Sequence, residues 1–288
     1  MSATEPLPSY PPDPRHEPWD PRLVALDIDG TILGPDESLS GGVRDAVRRV
    51  LDAGAHVVLS TGRSLVATRP VADALGLTAG WLVCSNGTVT ATLDPPRIVD
   101  VVTFDAGPAV RLLREHLPEA LVAVEDLGVG YRVTAPFPAG ELPGRQQVCG
   151  LDDLVAEPVN RVVIRSPEHE PADFLDLVER IGLHEVAYAV GYTAWLDIAP
   201  DGVSKASALD AVRRRLGVPS DATLAIGDGR NDLEMLRWAA RGVAMGQAPA
   251  EVQDAADLVT RTVREDGLAT ALGWWFDGGH AGQRRIDR

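Results

Sequence analysis

The sequence predicts an α/β protein in which a parallel-sheet core is interrupted by an inserted α+β domain. Three observations carry this reading. Strand-like and helix-like segments alternate from Arg22 to Gly87, two β-α-β-β patterns follow, and alternation resumes near Gly202. At 288 residues the chain has room for two medium domains, and an apolar share of 45% is enough to bury a core.

Taken in order, Arg22–Asp27 is apolar, partly β-branched and bounded by Pro21 and Gly30, which predicts a strand. Ser40 opens the helix SGGVRDAVRRVLDAG, with Val43, Val47, Val50 and Leu51 on one face and Gly54 closing it. AHVVLST predicts a second strand ending at Ser60–Thr61, SLVATRPVADALGL a helix, and GWLVCSNG a third strand ending at Asn86–Gly87. The pattern then becomes strand Arg97–Phe104, helix Pro108–Leu117, and strands Leu121–Glu125 and Tyr131–Thr134. After a Pro/Gly-rich loop the same order recurs as strand Val159–Arg165, helix Pro171–Ile181, and strands Glu185–Val190 and Ala194–Ile198. The two halves share an order of elements and no detectable sequence. Ser204 caps the helix SKASALDAVRRRLGV, ATLAIGD is a strand ending at Asp228, and NDLEMLRWAA is a helix. GVAMG and ADLVT are short strands, and REDGLATALGWWF is a final helical stretch. The expected boundaries are a Pro-rich, disordered tail over 1–20, a core over 21–87 and 200–276, an inserted domain over 88–199, and a flexible tail over 277–288.

The formal net charge of −15 makes nucleic acid and anionic membrane poor partners, while leaving room for a local site that binds a small anion. No apolar run approaches the roughly 18 residues of a membrane span. The N-terminus lacks the basic start and apolar stretch of a signal peptide. Cys84 and Cys149 form no CxxC pair or metal spacing, so both thiols read as structural in a reducing, cytoplasmic setting. The sequence leaves the oligomeric state open.

Ligands of open α/β sheets bind beyond the carboxyl ends of the strands. Those ends carry Asp27 and Asp29; Ser60, Thr61, Gly62 and Arg63; Ser85, Asn86 and Gly87; and Asp228, Gly229, Asn231 and Asp232. Lys205 opens a helix nearby. Four carboxylates gathered there repel one another strongly unless a cation joins them. The six histidines are scattered without a metal spacing, and an all-oxygen donor set suits Mg²⁺ rather than zinc. In an extended chain residues 27 and 29 point to one side, and Gly30 permits a tight turn that brings backbone N–H groups close to an anion. One carboxylate of such a pair can attack phosphorus, and the other can protonate the leaving oxygen and then activate water. Mg²⁺ and Lys205 would offset the repulsion between an attacking carboxylate and a phosphate dianion.

The stretches DIDGT, STGR, GVSKASAL and AIGDGRNDLEML resemble, in order, the four motifs of the haloacid dehalogenase-like (HAD) phosphatases. The inserted domain and GVAMG are similar to the Cof-type members, subfamily IIB, which carry a C2B cap on a Rossmann-like core. The resemblance covers about Arg22 to Phe276. It implies a Mg²⁺-dependent hydrolase of small phosphorylated metabolites, sugar phosphates first. Asp27 matches the nucleophile, and Asp29 the general acid/base whose backbone carbonyl is a metal ligand. Thr61 matches the phosphate-binding hydroxyl with Gly62 beside it, and Lys205 the charge-neutralising lysine. Asp228 matches a metal ligand, Asp232 an acid that binds or orients the metal shell, and Asn231 a phosphate contact. Asn86 and Gly87 fall where the family's substrate-facing loop meets the cap. One departure is Gln247, where the family more often has Asn; it reads as lying outside the core chemistry.

Plainer readings stand beside these. Thr61 could be an ordinary helix cap, and Arg63 either touches substrate or makes a structural ion pair. His56 reads as a strand-edge residue, Trp195 as hinge packing, and Trp274–Trp275 as packing. GDGRND is a poor dinucleotide loop, since Asp232 would repel a pyrophosphate. A phosphomutase usually has a helical cap after the first motif, and only Thr31–Ser40 separates that motif from the next helix. A non-catalytic binding module would be favoured by loss of a motif acid, and none is lost.

Overall fold

The computed structural model describes residues 19–166, 170, 173–174, 176, 180, 186–190 (backbone) and 194–277. The two expected tails, apart from residues 19, 20 and 277, lie outside the described residues, as does much of the helix expected over Pro171–Ile181.

In chain order the strands are β1 Leu23–Leu26, β2 His56–Ser60, β3 Trp81–Cys84, β4 Val89–Thr92, β5 Arg97–Val101, β6 Leu121–Asp126 and β7 Gly130–Val133. They continue as β8 Arg145–Val148, β9 Val162–Arg165, β10 Val186–Val190, β11 Trp195–Pro200, β12 Thr223–Gly227, β13 Arg241–Ala244 and β14 Leu258–Val259. The described helices are α1 Gly41–Asp52, α2 Leu65–Ala74, α3 Gly107–His116, α4 Leu151–Leu154, α5 Lys205–Leu216, α6 Leu233–Trp238, α7 Ala250–Ala255 and α8 Gly267–Phe276.

The core is an eight-stranded sheet in the order β14-β13-β12-β1-β2-β3-β4-β5, parallel from β14 to β3. Strand periodicity sets its two faces. Val24 and Leu26 of β1 point to the side covered by α1, α2 and α8, where Val47, Val71, Leu268 and Leu272 are buried. Leu23 and Ala25 point to the opposite side, against Leu209, Val212, Met235 and Val252 of α5, α6 and α7. Parallel sheets need both faces covered, and the near-continuous apolar strands reflect this. On α1 the buried stripe is Val43, Ala46, Val47 and Val50, whereas Leu51, expected on that face, is exposed.

The second sheet has the order β10-β11-β9-β6-β7-β8 and is antiparallel except for the β7–β8 pair. Its apolar face packs on α3 and α4 through Val110, Leu113, Val122, Leu154 and Ile164. No described helix is long and apolar enough to cross a membrane.

The expected start of the inserted domain at residue 88 needs correction. β4 and β5 extend the core sheet as an antiparallel hairpin on β3, so the crossing to the second sheet follows Val101. The cause is local: Ser85, Asn86 and Gly87 all take positive φ and turn the chain straight back on itself. Arg97–Phe104 therefore does not open a β-α-β-β unit. β8 lies in the stretch read as a Pro/Gly-rich loop; Arg-Gln-Gln-Val is a polar, largely exposed edge strand with no apolar alternation to reveal it.

β1 is flanked on both sides by parallel neighbours, and Leu26 at its end is fully buried. Leu26→Ala is expected to lower stability by about 2–5 kcal/mol, measured by urea unfolding.

Candidate active site

Parallel pairing of β12, β1, β2 and β3 puts their carboxyl ends along one edge of the core sheet. A cleft of about 590 Å³ opens there, between the core and the second sheet. Behind Asp27 and Asp228, which line it, lies a buried charge cluster. Lys205 is the first residue of α5, whose cap Ser204 exchanges reciprocal hydrogen bonds with Ser207. The Lys205 side chain is 0% exposed. A buried ammonium is tolerated only when paired, and Nζ donates to Asp27 Oδ1 at 2.7 Å and to Asp232 Oδ1 at 2.6 Å. Burial alone would pull the lysine pKa down, but Asp232 and Asp27 outweigh it and hold the lysine above its ordinary range.

Asp232 also shapes the loop after β12. Its Oδ2 accepts the N–H groups of Asp228 at 3.0 Å and Gly229 at 2.9 Å. Its carboxylate packs on Gly227, where any Cβ would collide with it. Asp232 is thus first an organiser: one oxygen faces Lys205 and the other fixes the backbone that carries Asp228. Gly30 is required for a similar reason. It sits at φ +79°, and a Cβ there would run into the Asp228 carboxylate.

Asp27, Asp228 and Asp232 each offer an oxygen within 4.8 Å of the others. With one ammonium among three carboxylates, the formal charge of the cluster is −2. Burial and this imbalance act together on the carboxyl groups. Burial, then Asp232, drives the Asp27 carboxyl well above its usual range despite Lys205. Burial also pushes Asp228 up to about 6, against a lowering hydrogen bond from Gln247. Three hard oxygen donors with surplus negative charge fit a divalent cation such as Mg²⁺.

Asp29 lines the cleft, but its carboxylate stands apart from this group. It is held by the Arg63 fork, with Nε at 2.9 Å from Oδ2 and a terminal nitrogen at 2.5 Å from Oδ1. The same guanidinium reaches Glu37 Oε1 at 3.0 Å. Of the two readings of Arg63, the structure displays the ion pair, and it does so within the cleft. The side chain of Asp29 is therefore not placed with the other expected metal ligands.

Gly62, Asn86 and Asn231 come together on one wall. Asn231 Nδ2 donates to Asn86 Oδ1 at 3.0 Å, and a Cβ on Gly62 would lie 3.2 Å from that oxygen. Thr61 is fully buried behind them, its Oγ1 accepting the Arg63 N–H at 3.1 Å. Gly87, at φ +101°, lets the backbone pass directly against the Ser204 carbonyl; a side chain would collide there.

Three features escaped the sequence reading. Gln247 donates to the Gly30 carbonyl at 2.6 Å and to Asp228 Oδ2 at 3.0 Å, and accepts from the Val263 N–H at 2.9 Å. It touches a candidate metal ligand rather than lying outside the chemistry. Arg161 enters the cleft from the second sheet and pairs with Asp197 at 2.7 Å, with Tyr131 Oη 3.4 Å away. Trp195, expected as hinge packing, lines the cleft and meets Phe137 edge-on at 6.2 Å. The available signal was the alternation of β11, which puts Trp195 and Asp197 on the face opposite buried Leu196 and Ile198.

Comparison with known proteins bears on the family and the fold. Residues 24–115 and 143–272 match the family described as haloacid dehalogenase-like hydrolase. The chain is 27% identical over 279 residues to 5-amino-6-(5-phospho-D-ribitylamino)uracil phosphatase YcsE of Bacillus subtilis (strain 168), covering 91% of this chain and 98% of that protein. It is 31% identical over 267 residues to pyridoxal phosphate phosphatase YbhA of Escherichia coli (strain K12), covering 86% and 96%. Its fold superposes on the HAD subclass IIB sugar phosphatase BT4131 with a TM-score of 0.74 at 21% identity, covering 87% and 97%.

Two outcomes follow from the charge cluster. Lys205→Met strands two buried carboxylates and is expected to cost about 3–5 kcal/mol in urea unfolding, with partial recovery on adding a divalent cation. The folded pKa of Asp228 lies above its ordinary 3.8. Its stabilising effect on the cation-free fold is therefore full below that value and lost as pH rises through about 6. Cation binding must displace this proton, so affinity should rise over the same window. Melting curves and calorimetric Mg²⁺ titrations at pH 5 and pH 7 measure both effects.

Proposed function

We propose for this chain, which belongs to the haloacid dehalogenase-like hydrolase family, Mg²⁺-dependent hydrolysis of small phosphomonoesters through an aspartyl-phosphate on Asp27. The observation that carries this reading is the placement of Asp27: buried, bonded to Lys205, beside Asp228, and open to the cleft. The relatives named as phosphatases of small phosphorylated metabolites support the same class of reaction.

Asp27, Asp228 and the backbone carbonyl of Asp29 would hold Mg²⁺, with Asp232 fixing the loop. When bound, the ion supplies positive charge that lets a carboxylate approach a phosphate dianion. Asp27 attacks phosphorus as the bond to the leaving oxygen breaks. Asp29, once free of the Arg63 fork and having taken up a proton from solvent, gives that proton to the leaving oxygen, then takes one from the water that attacks the acyl phosphate, releasing inorganic phosphate and restoring Asp27. Lys205 remains against Asp27 and holds its orientation and charge. Gly62, Asn86 and Asn231 face the phosphoryl oxygens, with Thr61 buried behind them on the Arg63 backbone N–H. Asp29 must first leave the Arg63 fork, so Arg63 competes with substrate for this carboxylate.

The leaving group lies toward the second sheet, which acts as the cap and excludes water. Its charged groups there come in pairs, Arg161 with Asp197 and Arg165 with Glu141. Paired donors and acceptors favour a polar, uncharged leaving group, in keeping with a sugar phosphate or a related metabolite. The free thiols Cys84 and Cys149 are in keeping with the cytoplasm.

Asp27→Asn is expected to abolish Mg²⁺-dependent phosphate release from an aryl phosphate, measured by phosphate assay; retained turnover would rule out this nucleophile. Arg161→Met should raise KM for the preferred metabolite about tenfold, the effect of losing a charge-assisted hydrogen bond, with a smaller change for the aryl phosphate.

A further inference from the structure

The turn that places Asn86 in the cleft is strained and is not held by the core alone. Ser85, Asn86 and Gly87 take φ values of 49°, 55° and 101°. Glycine adopts such values freely and asparagine tolerates them, but serine has no such preference. Residues in this region persist only where their surroundings over-determine them. Three of the attachments belong to the core: the Ser85 N–H donates to the Arg63 carbonyl at 2.8 Å, the Asn86 N–H to the Thr61 carbonyl at 3.0 Å, and the Thr88 hydroxyl to the Ser85 carbonyl at 3.1 Å. A fourth crosses to the cap. The Ser85 hydroxyl donates to Glu125 Oε2, on β6, at 2.5 Å.

Glu125 is 6% exposed. Its Oε2 also accepts from Asn160 Nδ2 at 2.9 Å, and that amide lies 3.3 Å from Thr88 Oγ1. Its Oε1 is buried with no hydrogen-bond partner among the described residues. The Arg161 charge lies close enough to be felt by Glu125, but an oxygen buried at a domain seam without a hydrogen bond is still costly to keep, which calls for a role beyond packing. What it grips supplies one. The turn aims Asn86 at Asn231, and it seats Gly87 on the Ser204 carbonyl, immediately before Lys205.

We propose that Glu125 is a positioning residue that couples seating of the cap to assembly of the phosphate site. With the cap in place, its carboxylate holds Ser85 in the left-handed region and so fixes Asn86 and Gly87. When the cap lifts, that hold is lost and the turn relaxes. Glu125 acts through Ser85 and touches no substrate. The proposal rests on the hydrolase reading for its kinetic consequence, not for the coupling itself.

The test compares the full-length wild type with Glu125→Ala, Glu125→Gln and the double variant Glu125→Ala/Ser85→Gly. Turnover of p-nitrophenyl phosphate with Mg²⁺ is measured alongside amide hydrogen exchange over residues 85–88. Glu125→Ala should lower kcat/KM by roughly 10- to 100-fold, mostly in kcat, the scale of a misplacement of about 1 Å. Its amides over 85–88 should exchange faster. Glu125→Gln keeps an acceptor for Ser85 and should stay within about threefold of wild type. Adding Ser85→Gly to Glu125→Ala should recover most of the loss, because glycine holds positive φ unaided. Wild-type kinetics and exchange in Glu125→Ala would overturn the proposal, as would a loss that the glycine fails to recover. If the wild type releases no phosphate, the hydrolase reading fails on its own, and exchange over 85–88 still decides the role of Glu125.

Discussion

A single ammonium group organises this site. Lys205 Nζ sits in the protein interior between Asp27 and Asp232, and each partner has a further duty. Asp232 ties down the loop that presents Asp228, while Asp27 faces the cleft. Moving any one of the three would leave a buried charge without its counterpart, so the cluster fixes the relative positions of β1, β12 and α5. Glycines follow from the same constraint. Gly227 lies under Asp232, Gly30 under Asp228, and Gly87 against the residue that caps α5.

The cluster is also incomplete in charge. One lysine does not balance three acids, and burial together with the neighbouring carboxylates raises the carboxyls of Asp27 and Asp228 above their ordinary range. A site tuned for stability alone would not be built this way. The same imbalance fits a divalent cation, whose charge would offset the repulsion between these acids and a phosphate dianion. Gln247 adds a neutral contact to Asp228 and to the Gly30 carbonyl, linking the first and last motif loops without changing the charge.

Much of this was legible in the sequence because the information is local. Strands such as Leu23–Leu26 and Thr223–Gly227 are fully buried and almost wholly apolar, and the acids follow directly at their ends. Parallel order then brings those ends together. Long-range side-chain choices were not legible. Nothing in the spacing says that Arg63 grips Asp29, that Arg161 finds Asp197, or that Gln247 reaches Asp228, since each pairing joins residues far apart in the chain. The edge of the inserted domain was misplaced for a related reason. Gly87 looked like the end of a unit, whereas three consecutive residues at positive φ make it the bend of a hairpin within the core sheet.

The central claim is that phosphoryl transfer passes through the carboxylate held by Lys205 rather than the one held by Arg63. The direct measurement is to quench a reacting mixture in acid, reduce with borohydride, and sequence the peptide spanning residues 23–34 by mass spectrometry. A phosphorylated aspartate is converted to homoserine by this treatment. The account predicts homoserine at position 27 and unchanged aspartate at position 29, only when Mg²⁺ and a phosphomonoester are both present. Homoserine at position 29, or none at either position while turnover proceeds, would contradict it.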